Sequence, residues 1–242
     1  MASSNASRSA SSLASGLWFA LLLACNTAAQ APDATGPGRD EGAKDEPAPA
    51  TAKELFRTFA RLRGLSAKFT EEKHLSLLAV PLKSSGELHF LAPDHLARVV
   101  VAPEPSQVII SNRELRMRDA HGTEVIDLRQ SDRVRLFVTS LMRVFQGDRA
   151  ALTKTYDVRY ARDPQDRTRW RLELTPKPKE LRQILKHLIL HGRGHAVTRI
   201  ERAEPNGDRT ITTITAVDTR REFTAAERKR LFAIEPKARP AK

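Results

Sequence analysis

The chain has 242 residues, which leaves room for one substantial domain once its first residues are set aside as an export signal. Its formal net charge is +12; residues 1–51 hold three basic and five acidic side chains, a balance of −2, so residues 52–242 carry +14. This excess of positive charge fits contact with an anionic membrane surface or an acidic protein face, or else an ordinary solvated basic surface. Nucleic acid is disfavoured as a partner because an exported protein does not meet it and because the aromatic content is only 5%.

Residues 1–31 are typical of an export signal. They combine a serine-rich start that includes Arg8, an apolar core at residues 17–24, and small residues after it. The core is far shorter than the ~20 apolar residues that span a bilayer as a helix. We therefore expect a protein of the periplasm without a permanent membrane helix.

Cys25, the sole cysteine, directly follows the apolar core and resembles the lipidated cysteine of a lipobox. Two interpretations remain open: lipidation of Cys25, or cleavage after residues 27–29, which would discard it with the signal. Residues 32–51 are rich in Ala, Pro, Gly and acidic residues, as a tether would be, and this favours lipidation. Asn26 is not the aspartate that retains enteric lipoproteins in the inner membrane, so an anchor would lie in the outer membrane.

A first amphipathic helix is predicted at residues 54–63, where Leu55, Phe59 and Leu62 recur at helical spacing and Gly64 follows as a stop. From residue 66 to residue 117, apolar residues instead fall on every second position of four or five short runs. This period predicts strands with one apolar face, and the prolines between the runs predict turns. The result is an antiparallel meander that must cover its apolar face.

A lid for that face is predicted at residues 131–145, where five apolar residues recur at helical spacing. A short helix is expected after Asp148, and strands resume as hairpins up to residue 217. Residues 225–231 predict a last helical turn, and residues 236–242 a basic, unfolded tail. The expected fold is mainly β with helices (α+β): an unclosed antiparallel barrel of about ten strands, capped by amphipathic lid helices around an apolar interior.

Several motifs occur in an order that resembles the outer membrane lipoprotein carrier proteins (LolA). They are LSAKFTE at residues 65–71, SGELHF at residues 85–90, Pro93, VIIS at residues 108–111, and Leu115. The resemblance covers roughly residues 52–217, within an expected domain at residues 52–235. It implies a half-barrel whose interior takes up the acyl chains of lipoproteins or related lipids in transit. It also implies an inner-membrane donor and an outer-membrane acceptor; we expect a monomer without a cofactor.

Candidate lining residues for the interior come from the apolar face of the strands and from the lid. They are Phe69, Leu88, Phe90, Leu96, Val108, Ile110, Leu115 and Met117, with Phe137, Leu141 and Phe145 from the lid. Ordinary core packing is the alternative for each of them. Enteric carriers have an arginine directly before the strand-turn proline that is thought to hold the lid closed. Here that position is Ala92, so this contact is not carried over.

The sequence contains little that indicates catalytic chemistry. His187, His191 and His195 are spaced four apart, which on one helix would place them on a shared face. Gly192 and Gly194 disfavour such a helix. On a strand, positions four apart lie ~13 Å from each other, which is too far to share a zinc ion. No cysteine nucleophile remains in the domain, and no phosphate-binding loop or nucleophile elbow is present. We therefore expect neither an enzyme nor a metal site.

Three functions remain open. The first is a periplasmic carrier of acyl chains between the two membranes. The second is an outer-membrane receptor resembling LolB, which would require a lipidated Cys25. The third is a structural or sensor domain of the cell envelope, whose interior would be filled by its own side chains.

Overall fold

The structure is a computed structural model that describes residues 46–111, 113–130 and 132–233. The predicted export signal, Cys25, most of the linker and the basic tail lie outside the described residues. Within the described part, no helix combines the length and the apolarity that crossing a bilayer requires.

Eleven strands lie within the described residues and form one sheet. They are β1 (Gly64–His74), β2 (Leu82–Leu91), β3 (His95–Ala102), β4 (Ser106–Ile110), β5 (Glu114–Asp119), β6 (Gly122–Asp127), β7 (Tyr156–Arg162), β8 (Arg169–Pro176), β9 (His187–Arg193), β10 (Ala196–Ala203) and β11 (Arg209–Asp218). Each strand pairs antiparallel with its neighbours. The order is β6-β5-β4-β3-β2-β1-β11-β10-β9-β8-β7, so β6 and β7 are the edges. The predicted unclosed antiparallel sheet is confirmed, with one strand more than expected.

The sheet consists of two meanders that meet where β1 pairs with β11. One meander runs outward from β1 to β6, and the other runs inward from β7 to β11. Because β1 and β11 lie at opposite ends of the domain's sequence, their pairing depends on contacts far apart in the chain. It joins the two apolar faces into one concave surface.

Five helices are described: α1 (Ala52–Ala60), α2 (Asp132–Phe145), α3 (Arg149–Thr155), α4 (Lys179–Arg182) and α5 (Ala225–Phe232). Helix α1 begins two residues before the predicted helix, because the Thr51 side chain accepts a hydrogen bond from the Glu54 backbone N–H and caps it. Asp148 caps α3 in the same way by accepting from the Ala151 backbone N–H, as the sequence predicts. Thr224 and Glu227 form a reciprocal capping box at the start of α5.

Helix α2 is the predicted lid. It follows edge strand β6, and α3 leads from it into the opposite edge strand β7, so the connection between the two edges passes over the concave face. The α2 side chains Val138 and Met142 are buried against the apolar side chains of β2 to β6, and Val144 is buried in a cluster with α1 and β7 to β9. The lid therefore spans both halves of the sheet.

The convex face of the sheet is covered locally by α5. Phe223, Leu231 and Phe232 pack there against Ala97, which points away from the concave face occupied by Leu96. The sequence of β3 is largely apolar because, from Leu96 to Val100, the residues on both of its faces are buried or half-buried. The concave face, on the other side of the sheet, is covered by α2.

Candidate functional site

Two adjoining cavities lie between the concave face of the sheet and the lid helix α2. Their volumes are about 420 Å³ and about 170 Å³. Seven residues, all apolar, line both: Leu88, Leu141, Val144, Phe145, Leu188, Ile200 and Ile214. Protein interiors are normally packed with few voids larger than a water molecule, so this interior is partly vacant.

The larger cavity reaches solvent at one end of the half-barrel. Most of its lining is apolar and buried or half-buried, but Arg61, Thr219 and Arg220 are exposed and mark its mouth. They come from the end of α1 and from the segment after β11. A bridge between Gly64 and Arg220 holds that segment beside the start of β1. The volume lies within the range of about 300–1,000 Å³ that is usual for small-molecule pockets.

The smaller cavity ends in charged side chains. Along β1, the alternation that places Ala67 and Phe69 on the concave face also places Glu71 and Lys73 there, and both are buried. Arg98 from β3 and Arg202 from β10 reach the same region, so that Glu71, Arg98 and Arg202 all line this cavity. The interior is therefore apolar along most of its length and polar at this end.

Hydrogen bonds neutralise these interior charges. Arg98 Nη2 donates to Glu71 Oε1 at 2.9 Å, and its guanidinium lies 4.5 Å from the centre of the Phe69 ring. The hydroxyl of Thr212 donates to the other Glu71 oxygen at 2.9 Å. Arg202 Nη2 donates to Glu204 at 2.7 Å; burial lowers the pKa of the Arg202 guanidinium, and the Glu204 carboxylate opposes that shift. Each interior arginine thus has its own carboxylate, as buried charges require.

The structure divides the predicted lining residues into two groups. Leu88, Leu141 and Phe145 line both cavities. The smaller cavity is also lined by Phe69, Leu96, Val108, Ile110 and Phe137. Phe90, Leu115 and Met117 line neither of the two cavities; they are buried in the cluster that joins β2 to β6 with the lid.

Other lining residues were missed by the sequence analysis. Leu188, Ile200 and Ile214 from β9, β10 and β11 line both cavities, and Glu71, Arg98 and Arg202 line the smaller one. Alternation within each strand is a signal for all of them. Which face of each strand is concave, however, depends on the pairing of β1 with β11, and no local pattern gives that pairing.

The lid is attached to the turn between β2 and β3 although Ala92 occupies the position of the family's arginine. Gln146, directly after α2, donates from Nε2 to the carbonyl oxygen of Pro93 at 2.8 Å. Phe145 stacks on Phe90, with ring centres 5.2 Å apart. The contact with the proline turn is therefore made from the lid side.

Within the described residues, no group of three or more His, Cys, Asp or Glu side chains is arranged to hold a metal ion. Two of the three histidines with a spacing of four face carboxylates instead. His191 Nε2 lies 3.1 Å from Glu201, and His195 Nδ1 lies 2.8 Å from Glu46. These two histidines therefore form separate pairs with carboxylates and do not converge on one point.

Several solved structures are similar in fold at low sequence identity. A LolA superfamily protein from Nitrosomonas europaea is 14% identical with a TM-score of 0.39, over 72% of this chain and 96% of its own. A Vibrio parahaemolyticus domain described as outer membrane lipoprotein-sorting is 9% identical with a TM-score of 0.39, over 73% of this chain and 96% of its own. The Pseudomonas aeruginosa MucA/MucB complex gives 14% identity and a TM-score of 0.42, over 72% of this chain and 59% of the matched one.

Among curated proteins, none matches this sequence. A family model, described as outer membrane lipoprotein carrier protein LolA-like, matches residues 45–232. That range contains all eleven strands and all five helices of the described structure. The resemblance seen in the sequence is confirmed, and the chain belongs to this LolA-like family.

Proposed function

We propose that this protein binds the acyl chains of lipoproteins or related lipids inside the half-barrel and carries them through the periplasm between the inner and outer membranes. The observation that supports this most is the apolar cavity of about 420 Å³ beneath the lid. Each acyl methylene kept from water contributes ~0.8 kcal/mol, so one long chain represents on the order of 10 kcal/mol. Such a chain needs shielding in an aqueous compartment.

Uptake and release would follow from the construction of the lid. Leu141 and Phe145 of α2 face both cavities and are only half-buried, so they offer apolar contact to a guest without filling the space. The Gln146 contact with Pro93 is a single hydrogen bond that can break and reform. The role proposed is binding and transfer, with no covalent step.

A fluorescent fatty-acyl probe tests this proposal. We expect the delipidated protein to take up the probe and to release it when unlabelled lipid is added. Leu141→Trp and Ile200→Trp each place an indole in the space that both cavities share, and each should reduce uptake at least about tenfold, since it displaces part of the guest. Val125→Trp is the matched control, because Val125 is 52% exposed on edge strand β6. Equal uptake by all four proteins would contradict the proposal.

A second candidate function keeps the cavity and changes the location. Cys25 at the end of the apolar core of the export signal supports an outer-membrane lipoprotein that, like LolB, accepts and inserts cargo. Mass analysis of the mature N-terminus separates the two functions. A diacylglycerol adduct on Cys25 would favour the anchored receptor, and a mature chain that begins after Cys25 would favour the soluble carrier.

The third hypothesis, an envelope structural or sensor domain, makes different predictions for the same assay. It predicts no displaceable probe uptake. It also predicts that Leu88→Glu unfolds the protein, whereas the carrier hypothesis predicts lost uptake with the fold retained. Circular dichroism alongside the binding assay distinguishes these outcomes.

A further inference from the structure

The mouth of the larger cavity has an unbalanced positive charge. Arg61 and Arg220 are the two side chains of permanent charge in its lining, and no carboxylate lines it. Both arginines are exposed, and the bridge between Gly64 and Arg220 brings the segment after β11 beside the connection that carries Arg61. His195, also at this end, faces Glu46.

The pairing of the arginines differs between the mouth and the interior. In the interior, Arg98 and Arg202 lie 2.9 Å and 2.7 Å from Glu71 and Glu204. At the mouth, neither the Arg61 nor the Arg220 guanidinium has a carboxylate within ion-pair distance in the described part of the chain; the Asp218 carboxylate instead accepts a hydrogen bond from the Arg220 backbone N–H at 2.9 Å. The fold thus neutralises the arginines that line the smaller cavity and leaves the guanidinium groups at the mouth of the larger cavity available.

From this arrangement we infer that the mouth binds the anionic head group of a lipid whose acyl chain occupies the larger cavity, with Arg61 and Arg220 donating to its phosphate or carboxylate oxygens. The inference rests on the proposed function and narrows it. The glyceryl thioether that bears the acyl chains of a lipoprotein has no anionic oxygen, whereas an anionic phospholipid or a fatty acid has one directly beside its chain. Guanidinium groups suit such oxygens because they donate in a planar fork.

The geometry also orients the ligand. The head group lies at the mouth, and the chain extends past Leu65 and Ala67 toward the space shared by both cavities. The chain ends before Glu71 and Arg98, because an alkyl terminus gains nothing from displacing the hydrogen bonds of that pair. A head-first orientation is disfavoured, since Arg98 and Arg202 are already neutralised there.

The test compares lipids of the same acyl chains that carry or lack an anionic head group. Pyrene-labelled phosphatidylglycerol and diacylglycerol of equal chain length are each presented at trace amounts in phosphatidylcholine vesicles, so that vesicle charge does not vary. We expect the wild-type protein to take up phosphatidylglycerol about tenfold better, which corresponds to one charge-assisted contact. A second arm compares a labelled fatty acid with the matching alcohol and shows whether a carboxylate serves as well as a phosphate.

The variant Arg61→Gln/Arg220→Gln should lose the preference in both arms while still taking up diacylglycerol. Its control is Arg118→Gln/Arg162→Gln, which makes the same change in net charge at exposed positions that line neither cavity. A preference that persists in Arg61→Gln/Arg220→Gln, or that is absent from the wild type in both arms, overturns the inference. Failure to take up any labelled lipid would instead overturn the proposed function.

Discussion

At the scale of single residues, Leu115 and Leu141 occupy two different environments. Leu115 on β5 is fully buried within a packed cluster. Leu141 on α2 is half-buried and borders both cavities. The cost of removing a side chain depends on how completely its surroundings enclose it, so these two positions should respond differently.

Leu115→Ala should lower the free energy of unfolding by about 2–5 kcal/mol, because it opens a void in a packed cluster. Leu141→Ala should cost less than about half as much, since the leucine already borders vacant space. Urea denaturation of both variants measures the difference. Equal losses would indicate that the lid is packed as tightly as the core.

The ion pair between Glu71 and Arg98 in the smaller cavity gives a second residue-scale prediction. Arg98→Met should lower the free energy of unfolding by about 2–4 kcal/mol, because it leaves the buried Glu71 carboxylate without its guanidinium partner. Adding Glu71→Gln should recover part of that loss by removing the uncompensated charge. This account would be contradicted if the double variant lost more free energy of unfolding than the two single variants lose together.

His89 makes stability depend on pH. Its ring is buried beneath Phe223 and contacts Ser66 and Glu87, and burial lowers its pKa below the ordinary 6.5, although Glu87 opposes that shift. Below about pH 6.5, His89 is therefore protonated in the unfolded chain while it is still neutral in the folded protein. The free energy of unfolding is retained above that pH and falls as pH drops through the lowered pKa.

Denaturation at about pH 7.5 and about pH 5 measures this dependence. His89→Gln should show a smaller loss between the two values, because glutamine does not titrate. Some loss should remain, since burial also lowers the pKa of His191. An unchanged pH dependence in the variant would show that His89 is not the responsible group.

At the scale of elements, the lid and the proline turn form one unit through Gln146 and Pro93. Gln146→Ala should leave the fold intact and speed the release of a bound acyl probe about fivefold, the effect of losing about 1 kcal/mol of hydrogen bonding. Stopped-flow displacement of the probe measures this rate. Gln183→Ala, at an exposed position after α4, is the control and should release the probe at the wild-type rate.

At the scale of the whole molecule, local periodicity predicted the elements well. Alternation in β1 to β5 and the helical spacing of α2 determine what each segment is, because every segment buries one face. The same alternation could not show which distant segments share the interior. Leu188, Ile200 and Ile214 share the interior with the predicted lining residues only because β1 pairs with β11, a contact between sequence-distant segments.

Charge in the interior was harder to predict for a related reason. Glu71 and Arg98 lie on separate strands, and each alone would be expected on a solvated face. The sheet places β1 and β3 on either side of β2, and the long Arg98 side chain extends past the Phe69 ring to reach Glu71 at 2.9 Å. Arg61 and Arg220 likewise line one cavity because the bridge between Gly64 and Arg220 joins distant segments, and no local motif indicates this.

The central claim is that the concave interior holds acyl chains. The most direct measurement is mass spectrometry of lipid extracted from the purified native protein, compared with the Leu141→Trp variant purified in parallel. We predict acyl-bearing lipid at a substantial fraction of one molecule per wild-type chain, and much less in the variant. Wild-type protein that carries no lipid and takes none up on exposure to vesicles would contradict the account.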